Sequence, residues 1–206
     1  MWIAKIDLKK PDAATLEKAS AALRQGGIIV YPTETAYALG CDPRNPVALK
    51  KIFSIKNRDA SKSLPLIAAS ITMARKFAVL DRYASMLADA FWPGPLTLVA
   101  PRVPGTKGTG EIALRVSPAP WAKALSLAIG KPIVSTSANL SGRKTRYDVA
   151  SVLRDLGSLP DMVLDAGVLK AAPPSTIVRA QGGFVEILRE GSISEDDLHR
   201  ALMKRL

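Results

Sequence analysis

The stretch from 26 to 41 places the strongest constraint on the fold of this 206-residue chain. Its sequence is GGIIVYPTETAYALGC, in which a short apolar run at 28–31 follows two glycines and ends at a proline. A bounded apolar run of this length predicts a buried strand. The residues that follow, Thr33, Glu34 and Thr35, are unusual for a connection, because connecting loops are normally built from Asp, Asn, Ser, Gly and Pro. The pattern therefore predicts a strand and then a polar loop, which is either a binding loop or a well-packed turn.

The size and composition of the chain predict a single α/β domain over residues 1–206, with enough apolar sequence (48%) for a sizeable core. No apolar run approaches the roughly 18 residues that span a membrane, and the start has no signal-peptide pattern. We therefore expect a cytoplasmic protein without a membrane partner. Cys41 is the one cysteine, which excludes an internal disulfide and a cysteine-based zinc cluster.

The formal charge of +11, from 29 Lys and Arg against 18 Asp and Glu, favours a polyanionic partner such as a nucleotide or RNA. The alternative is that the positive charge serves colloidal stability alone. His199 is the one histidine, near the end of the chain, which disfavours acid and base chemistry through imidazole. The residue inventory instead favours chemistry by positioning and positive charge.

Apolar runs and helix caps alternate along the whole chain, which predicts a mixed α/β fold. The predicted strands are 2–7, 28–31, 64–68, 96–100, 112–116, 133–134, 162–165, 175–179 and 185–189, the last two as a hairpin. Helices are predicted after caps at Asp12, Asn45 and Asp81 and from Ser194 onward, with three more at 70–77, 118–129 and 148–156. The Pro, Gly and Thr-rich segment 101–110 is predicted as a surface loop or a lid.

Three cations, Lys56, Arg58 and Lys62, fall within seven residues just before the predicted strand 64–68. Such a run is either a solvated face or a set of side chains that converge on phosphate oxygens. No Walker A sequence is present, so a triphosphate would be held by side chains rather than by a glycine-rich loop.

Two further polar features stand out. Arg115 lies in an otherwise apolar strand, where its charge needs either an ion-pair partner or a ligand, and we favour a ligand carboxylate or phosphate. The stretch STSANLSG at 135–142 follows a buried strand and suits a phosphate or a sugar, or else it is a Ser/Thr-rich turn that caps the helix predicted at 148–156.

These features occur together in a recognisable order. The motifs YPTETAYALG, KNRDASKSL, FWPGPLTL, IALRV, STSANLSG, PSTIV and ILREG closely resemble the YrdC family of threonylcarbamoyl-AMP synthases over about residues 6–194. The resemblance implies a twisted, mostly mixed sheet with flanking helices and an open, positively charged concave face. It also implies that L-threonine, bicarbonate and ATP give threonylcarbamoyl-AMP and pyrophosphate, from which a downstream threonylcarbamoyl transferase complex modifies tRNA.

The resemblance assigns roles to residues of this chain. Threonine contacts are implied for Thr33 or Thr35, Arg115, and Ser175 or Thr176, and ATP contacts for Lys56, Arg58, Lys62, Thr97, Ser137, Asn139, Ser141 and Arg189. Lys56 and Arg58 are implied to be catalytic. Mg²⁺ is expected with ATP, no structural metal is expected in the protein, and direct contact with tRNA or duplex RNA stays open.

Two positions depart from the family pattern. Ala38 stands where glycine is common, which matters if that position needs a positive φ angle, and Asp59 stands where proline is common. The alternative function is a non-catalytic or diverged YciO-like nucleotide or RNA-binding protein. On the main interpretation, Arg58→Ala and Lys56→Ala weaken ATP use without unfolding, because neither residue is expected in the core.

Overall fold

A computed structural model describes residues 1–56, 64–108, 110–157 and 159–204. The helices are α1 (Ala13–Arg24), α2 (Pro46–Lys56), α3 (Ile71–Ala74), α4 (Arg82–Phe91), α5 (Pro120–Ala128), α6 (Val149–Leu156) and α7 (Glu195–Met203). The strands are β1 (Trp2–Lys5), β2 (Ile29–Pro32), β3 (Tyr37–Gly40), β4 (Leu66–Ala68), β5 (Leu96–Pro101), β6 (Glu111–Val116), β7 (Ile133–Val134), β8 (Thr136–Ser137), β9 (Met162–Asp165), β10 (Thr176–Gln181) and β11 (Phe184–Arg189).

The strands form two mixed sheets. The first sheet has the order β1-β9-β2-β3-β8, and the second has the order β11-β10-β5-β6-β4-β7. Each sheet contains both kinds of pair. In the first, β1 pairs with β9 in parallel and β2 with β3 antiparallel; in the second, β10 pairs with β5 in parallel and β5 with β6 antiparallel. The predicted mixed α/β fold with flanking helices is confirmed, but the strands divide between two sheets, whereas a single sheet was expected.

Strand β2 is buried on both faces. Ile28 and Val30 belong to the larger apolar core, whereas Ile29 and Tyr31 belong to the smaller one, which also contains residues of α1 and α5. Alternate residues of a strand point to opposite faces, so a strand with a core on each side needs a continuous apolar run. This explains why the run at 28–31 shows no polar alternation.

Helix starts follow the predicted caps. The side chains of Asp12, Asp81 and Ser194 accept hydrogen bonds from backbone N–H groups in the first turns of α1, α4 and α7. Each such cap satisfies an N–H group that has no partner inside the helix. Within residues 1–56, 64–108, 110–157 and 159–204, no helix has the length and apolar character needed to cross a bilayer.

The polar stretch after β2 is shorter than the sequence predicts, because its second half is the buried strand β3. Thr33 closes the turn between the two strands: its N–H and its hydroxyl both donate to the Ala36 carbonyl, at 3.0 and 2.6 Å. Ala38 lies within β3, opposite Tyr31 and beside Ser137, so its backbone is extended and the alanine is accommodated. Gly40 is required, since a Cβ atom there would lie 2.6 Å from the Tyr31 ring.

The thiol of Cys41, directly after β3, is fully buried, and burial together with the nearby charge of Asp42 raises its pKa to about 12. Because the thiolate is the reactive form, we expect no reaction with Ellman's reagent at pH 8 in the folded protein. Full reaction is expected after denaturation in guanidinium chloride. Rapid thionitrobenzoate release from the native protein would contradict this burial.

Candidate functional site

Thr97 and Arg115 lie on the same face of the second sheet. Leu98 of β5 pairs with Leu114 of β6, and Thr97 and Arg115 are the adjoining residues of these two strands. Leu98 and Leu114 are core residues, so their neighbours point to the other face. Arg115 is paired with Ile67 of β4 in the same register, which places the guanidinium near the middle of the sheet.

The turn between β2 and β3 contacts this face through Glu34. The Arg115 Nη1 atom donates to Glu34 Oε1 at 2.7 Å, and the Ser117 hydroxyl donates to Glu34 Oε2. Only 8% of the Arg115 side chain and 17% of the Glu34 side chain are exposed. Arg115 therefore forms the ion pair that the sequence left as the less favoured alternative, and a ligand would meet a guanidinium already held in place.

Of the two threonines in this turn, Thr35 is the one that contacts Arg115. Its hydroxyl lies 3.5 Å from Arg115 Nη1 and 3.0 Å from the Thr33 hydroxyl. Thr33 is 6% exposed, and its hydroxyl donates to the Ala36 carbonyl and accepts from the Ala36 N–H group. The geometry thus gives Thr33 a structural role in the turn and makes Thr35 the better candidate for ligand contact.

A second cluster forms where α2 ends against β8. The Lys56 ammonium donates to the Ser137 carbonyl at 2.7 Å, the Ser137 hydroxyl at 3.2 Å and Asn139 Oδ1 at 2.9 Å. Lys56 is 4% exposed. The expectation that Lys56 lies outside the core is therefore wrong, because the 135–142 stretch folds over the helix end and supplies acceptors for the ammonium group.

Asn139 links this lysine to the rest of the turn. Its side-chain oxygen accepts from Lys56 and from the Ser137 hydroxyl, and its amide nitrogen donates to the Arg143 carbonyl at 2.5 Å. Ser141 is exposed, and its N–H group donates to the Lys56 carbonyl at 3.3 Å. The turn thus presents Ser141 to solvent while Asn139 fixes its shape.

A third cluster lies at the start of β10. The Thr97 and Ser175 hydroxyls are 3.0 Å apart, and Arg189 Nη2 donates to the Ser175 carbonyl at 2.7 Å. Ser175 is partly exposed and Arg189 is exposed. These three predicted residues are therefore brought together, and Thr97 lies on β5, the strand that neighbours the strand of Arg115.

Thr176 has a different environment from Ser175. It is fully buried, and its hydroxyl donates to the Ile193 carbonyl and accepts from the N–H groups of Gly191 and Ile193. A hydroxyl offers one donor and two acceptor positions, so this capacity is already used within the protein. Of the predicted pair, Ser175 is the one with capacity for a ligand.

This difference gives a prediction. Thr176→Val is expected to lower the free energy of unfolding by about 1–3 kcal/mol, because the buried Ile193 N–H group and the partly buried Gly191 N–H group lose their acceptor. Ser175→Ala is expected to lower stability less, by about 1 kcal/mol, because it removes the hydrogen bond between the Ser175 and Thr97 hydroxyls, and to weaken threonine use. Urea unfolding curves and the threonine dependence of turnover measure the two effects. A Thr176→Val protein of unchanged stability would contradict the structural role.

The three clusters are connected through the strands. Ala38 of β3 pairs with Ser137 of β8, so the turn that carries Glu34 and the turn that holds Lys56 lie at neighbouring strands of the first sheet. The ion pair with Arg115 joins that region to the second sheet.

Arg58 and Lys62 lie outside the residues that the structure describes, so their roles stay predictions. Glu34 and Ser117 were not among the predicted site residues.

For the residues described, no group of three or more His, Cys, Asp or Glu side chains is arranged to hold a metal ion. The polar atoms of the three clusters are hydroxyls, amides, guanidinium and ammonium groups, with Glu34 engaged by Arg115 and Ser117. Donors of this kind suit anionic oxygens rather than a cation.

Two mixed sheets that meet at a polar turn, with cationic side chains fixed around the junction, define an α/β protein whose site suits an anionic ligand. The chain belongs to the Sua5/YciO/YrdC family: the family model, described as "Telomere recombination", matches residues 21–191.

Relatives of known name agree with this assignment. A threonylcarbamoyl-AMP synthase of Idiomarina loihiensis is 40% identical over 176 residues, which cover 81% of this chain and 93% of that protein. One of Xanthomonas euvesicatoria is 38% identical and covers 87% and 99%.

Among solved structures, Sua5 of P. abyssi complexed with L-threonine has a TM-score of 0.90 at 27% identity, and the match covers 98% of this chain and 61% of that chain. YciO of E. coli has a TM-score of 0.84 at 27% identity and covers 93% and 96%.

Proposed function

We propose that this protein is a threonylcarbamoyl-AMP synthase, which forms threonylcarbamoyl-AMP and pyrophosphate from L-threonine, bicarbonate and ATP. The observation that carries the proposal is the junction of the sheets, where Arg115, the Lys56 cluster and the Ser175 cluster are held around one region. Relatives named for this activity match over nearly their full length, and a structural neighbour was solved with L-threonine.

Threonine is proposed to lie on the Arg115 side of this region. A carboxylate accepts two parallel N–H bonds from a guanidinium group, and Arg115 is held by Glu34 through Nη1, so its orientation is fixed. Thr35, whose hydroxyl is 3.5 Å from Arg115 Nη1, and Ser175, whose hydroxyl is 3.0 Å from that of Thr97, are both partly exposed. They would accept from or donate to the amino and hydroxyl groups of the amino acid.

The chemistry then needs two steps. The threonine amine attacks the carbon of bicarbonate and, with loss of water, gives a carbamate. A carbamate oxygen attacks the α-phosphorus of ATP, a P–O bond forms, and the bond to the β-phosphate oxygen breaks to release pyrophosphate. Negative charge grows on the phosphate oxygens, so fixed positive groups stabilise the transition state. A histidine or other unusual base is not required.

ATP is proposed to lie on the Lys56 side. The charge of Lys56 and the Ser137–Asn139 turn that it fixes would face the triphosphate, with Ser141 and Thr97 as further polar contacts. Arg58, Lys62 and Arg189 are proposed to supply additional positive charge. We propose that Mg²⁺ enters on the ATP phosphates, since the donor groups at the site suit anions.

The test is pyrophosphate release by the purified full chain. Release is expected with ATP, threonine and bicarbonate together, and omission of any one should abolish it. Release that does not depend on threonine would contradict the proposal. The product is proposed to pass to a threonylcarbamoyl transferase complex that modifies tRNA.

The second candidate is a diverged, non-catalytic nucleotide or RNA-binding protein like YciO, whose structure resembles this one at a TM-score of 0.84. The net charge of +11 suits an RNA partner. This candidate predicts tRNA binding that weakens steeply with salt and no pyrophosphate release under any condition.

A further inference from the structure

A cavity of about 220 Å³ lies on the opposite face of the second sheet from Arg115. Leu66 of β4 lines it and pairs with Val134 of β7, which also lines it. The next residue, Ile67, pairs with Arg115. Because successive strand residues point to opposite faces, the cavity and the candidate site are separated by the thickness of the sheet.

The walls of the cavity are mostly apolar. They come from α2, from the segment after α3 and from three strands of the second sheet, through Leu49, Phe53, Phe77, Leu66, Ile112 and Val134. Apolar walls with a few polar groups at the edge are typical of small-molecule sites. The volume lies below the range of about 300–1,000 Å³ for drug-sized ligands, so the occupant would be a smaller molecule.

The edge of the cavity is positively charged. Arg44, Arg102, Lys107 and Lys131 line it, and no acidic side chain does so among the described residues. Asp42, close behind, pairs with Lys131 at 3.2 Å and with Arg44 at 3.5 Å. One carboxylate thus offsets part of the charge of four cations, which leaves an excess of positive charge around an apolar space.

Arg102 lacks one hydrogen bond. Its Nη1 atom donates to the Lys107 carbonyl at 3.0 Å, but its Nε atom is buried and has no hydrogen-bond partner. Across the part of the chain that the structure describes, no other buried side-chain nitrogen or oxygen is without a partner. A buried N–H group without an acceptor costs free energy, and native proteins rarely retain one.

Gly108 holds the guanidinium in this position. A Cβ atom at Gly108 would lie 2.9 Å from Arg102 Nε and 2.8 Å from its Cζ, and its φ angle of +107° favours glycine. The loop backbone therefore packs directly against the guanidinium group. Burial also lowers the pKa of Arg102, which agrees with a charge that lacks compensation.

We propose that this cavity binds a small anion with an apolar body, of the size of an aromatic carboxylate, whose oxygens pair with the guanidinium of Arg102 where that side chain lines the cavity. The apolar body would lie between Phe53, Phe77 and Leu66, and the other three cations would favour the negative charge. A neutral molecule of the same shape leaves the four cations without a counter-charge, and an anion without an apolar body leaves the apolar walls uncovered.

The first experiment follows the arginine Nε–H signals of the ¹⁵N-labelled full chain by NMR, with benzoate, benzamide and inorganic phosphate as probes. Benzoate is expected to give a saturable shift of the Arg102 Nε–H signal. Benzamide and phosphate are expected to bind at least about tenfold more weakly, since benzamide lacks the negative charge and phosphate lacks the apolar body. Equal binding of benzamide or phosphate, or no saturable shift with benzoate, would overturn the proposal.

The second experiment compares two variants with the same change of charge. Arg102→Gln is expected to weaken benzoate binding at least about tenfold, whereas Arg82→Gln, at the exposed start of α4, should leave it unchanged. Lys107→Gln, an exposed residue of the cavity edge, should weaken it by a smaller factor even if Arg102→Gln does not fold. Unchanged affinity in Lys107→Gln and Arg102→Gln overturns the assignment. None of these measurements requires ATP or turnover.

Discussion

Glu34→Ala is expected to lower the free energy of unfolding by about 3 kcal/mol, the lower end of the range for breaking one half of a buried ion pair. The substitution leaves the Arg115 guanidinium, whose side chain is 8% exposed, without its carboxylate partner. It also removes the acceptor of the Ser117 hydroxyl. Urea unfolding of the variant and the parent protein measures the change.

The same substitution is expected to raise the KM for threonine more than the KM for ATP, because Arg115 is no longer held towards the threonine side. Ser117→Ala is the control: it removes the hydrogen bond to Glu34 and the acceptor of the Ala119 N–H group but keeps the ion pair, so a loss of about 1–2 kcal/mol is expected. If Glu34→Ala retains full stability, or raises the KM for ATP alone, Glu34 does not position Arg115.

The second large effect is expected for Lys56→Met. The ammonium group of Lys56 donates to the Ser137 carbonyl and to Asn139 Oδ1. A methionine side chain has a similar length but can make neither hydrogen bond. We expect a loss of about 2–3 kcal/mol in stability, since bonds to a charged group are lost and buried acceptors remain. Turnover at saturating substrates is expected to fall at least about 100-fold, the effect of removing one fixed positive or donor group from a charged transition state.

Lys51→Met provides the control for this experiment. Lys51 lies on the same helix and is exposed, so the identical substitution should change stability by less than about 0.5 kcal/mol and leave turnover unaltered. Pyrophosphate release and urea unfolding measure both variants. A Lys56→Met protein with the turnover of Lys51→Met would show that Lys56 has no part in the reaction.

The sequence predicted elements well where local physics decides them. Caps such as Asp12 and Ser194 act within a single turn, and the glycine pair at 182–183 marks a hairpin by its own backbone preference, with φ angles of +61° and +86°. The apolar run of β2 likewise needed no partner to be recognised. These features depend on residues close together in the chain, which a sequence reading can assess.

Strand β3 was missed for the opposite reason. Its residues are buried because β2 and β8 lie on either side of it, and β8 is almost one hundred positions further along the chain. The burial of Lys56 depends on the same distant segment, through Ser137 and Asn139. The residues next to β3 and next to Lys56 in the sequence give no sign of this distant contact.

The candidate site was predicted in its residue types rather than in its contacts. A buried arginine in an apolar strand signals a need for a partner, but the choice of Glu34 depends on the meeting of the two sheets. The odd carboxylate between two threonines was the one available hint. Likewise, the sequence does not show whether Ser175 or Thr176 is available to a ligand. The structure distinguishes them, because the hydroxyl of Thr176 bonds to the Ile193 carbonyl and to the N–H groups of Gly191 and Ile193.

The way the chain is shared between the sheets has a consequence for folding. The first sheet takes β1, β2, β3, β8 and β9, and the second takes the strands between and after them, with β7 and β8 separated by Ser135 alone. A continuous fragment that contains all the strands of one sheet therefore also contains strands of the other, and the pairing of Trp2 with Met162 joins residues 160 positions apart. We expect slow refolding dominated by these distant pairings, and fragments cut between the sheets should fail to fold alone.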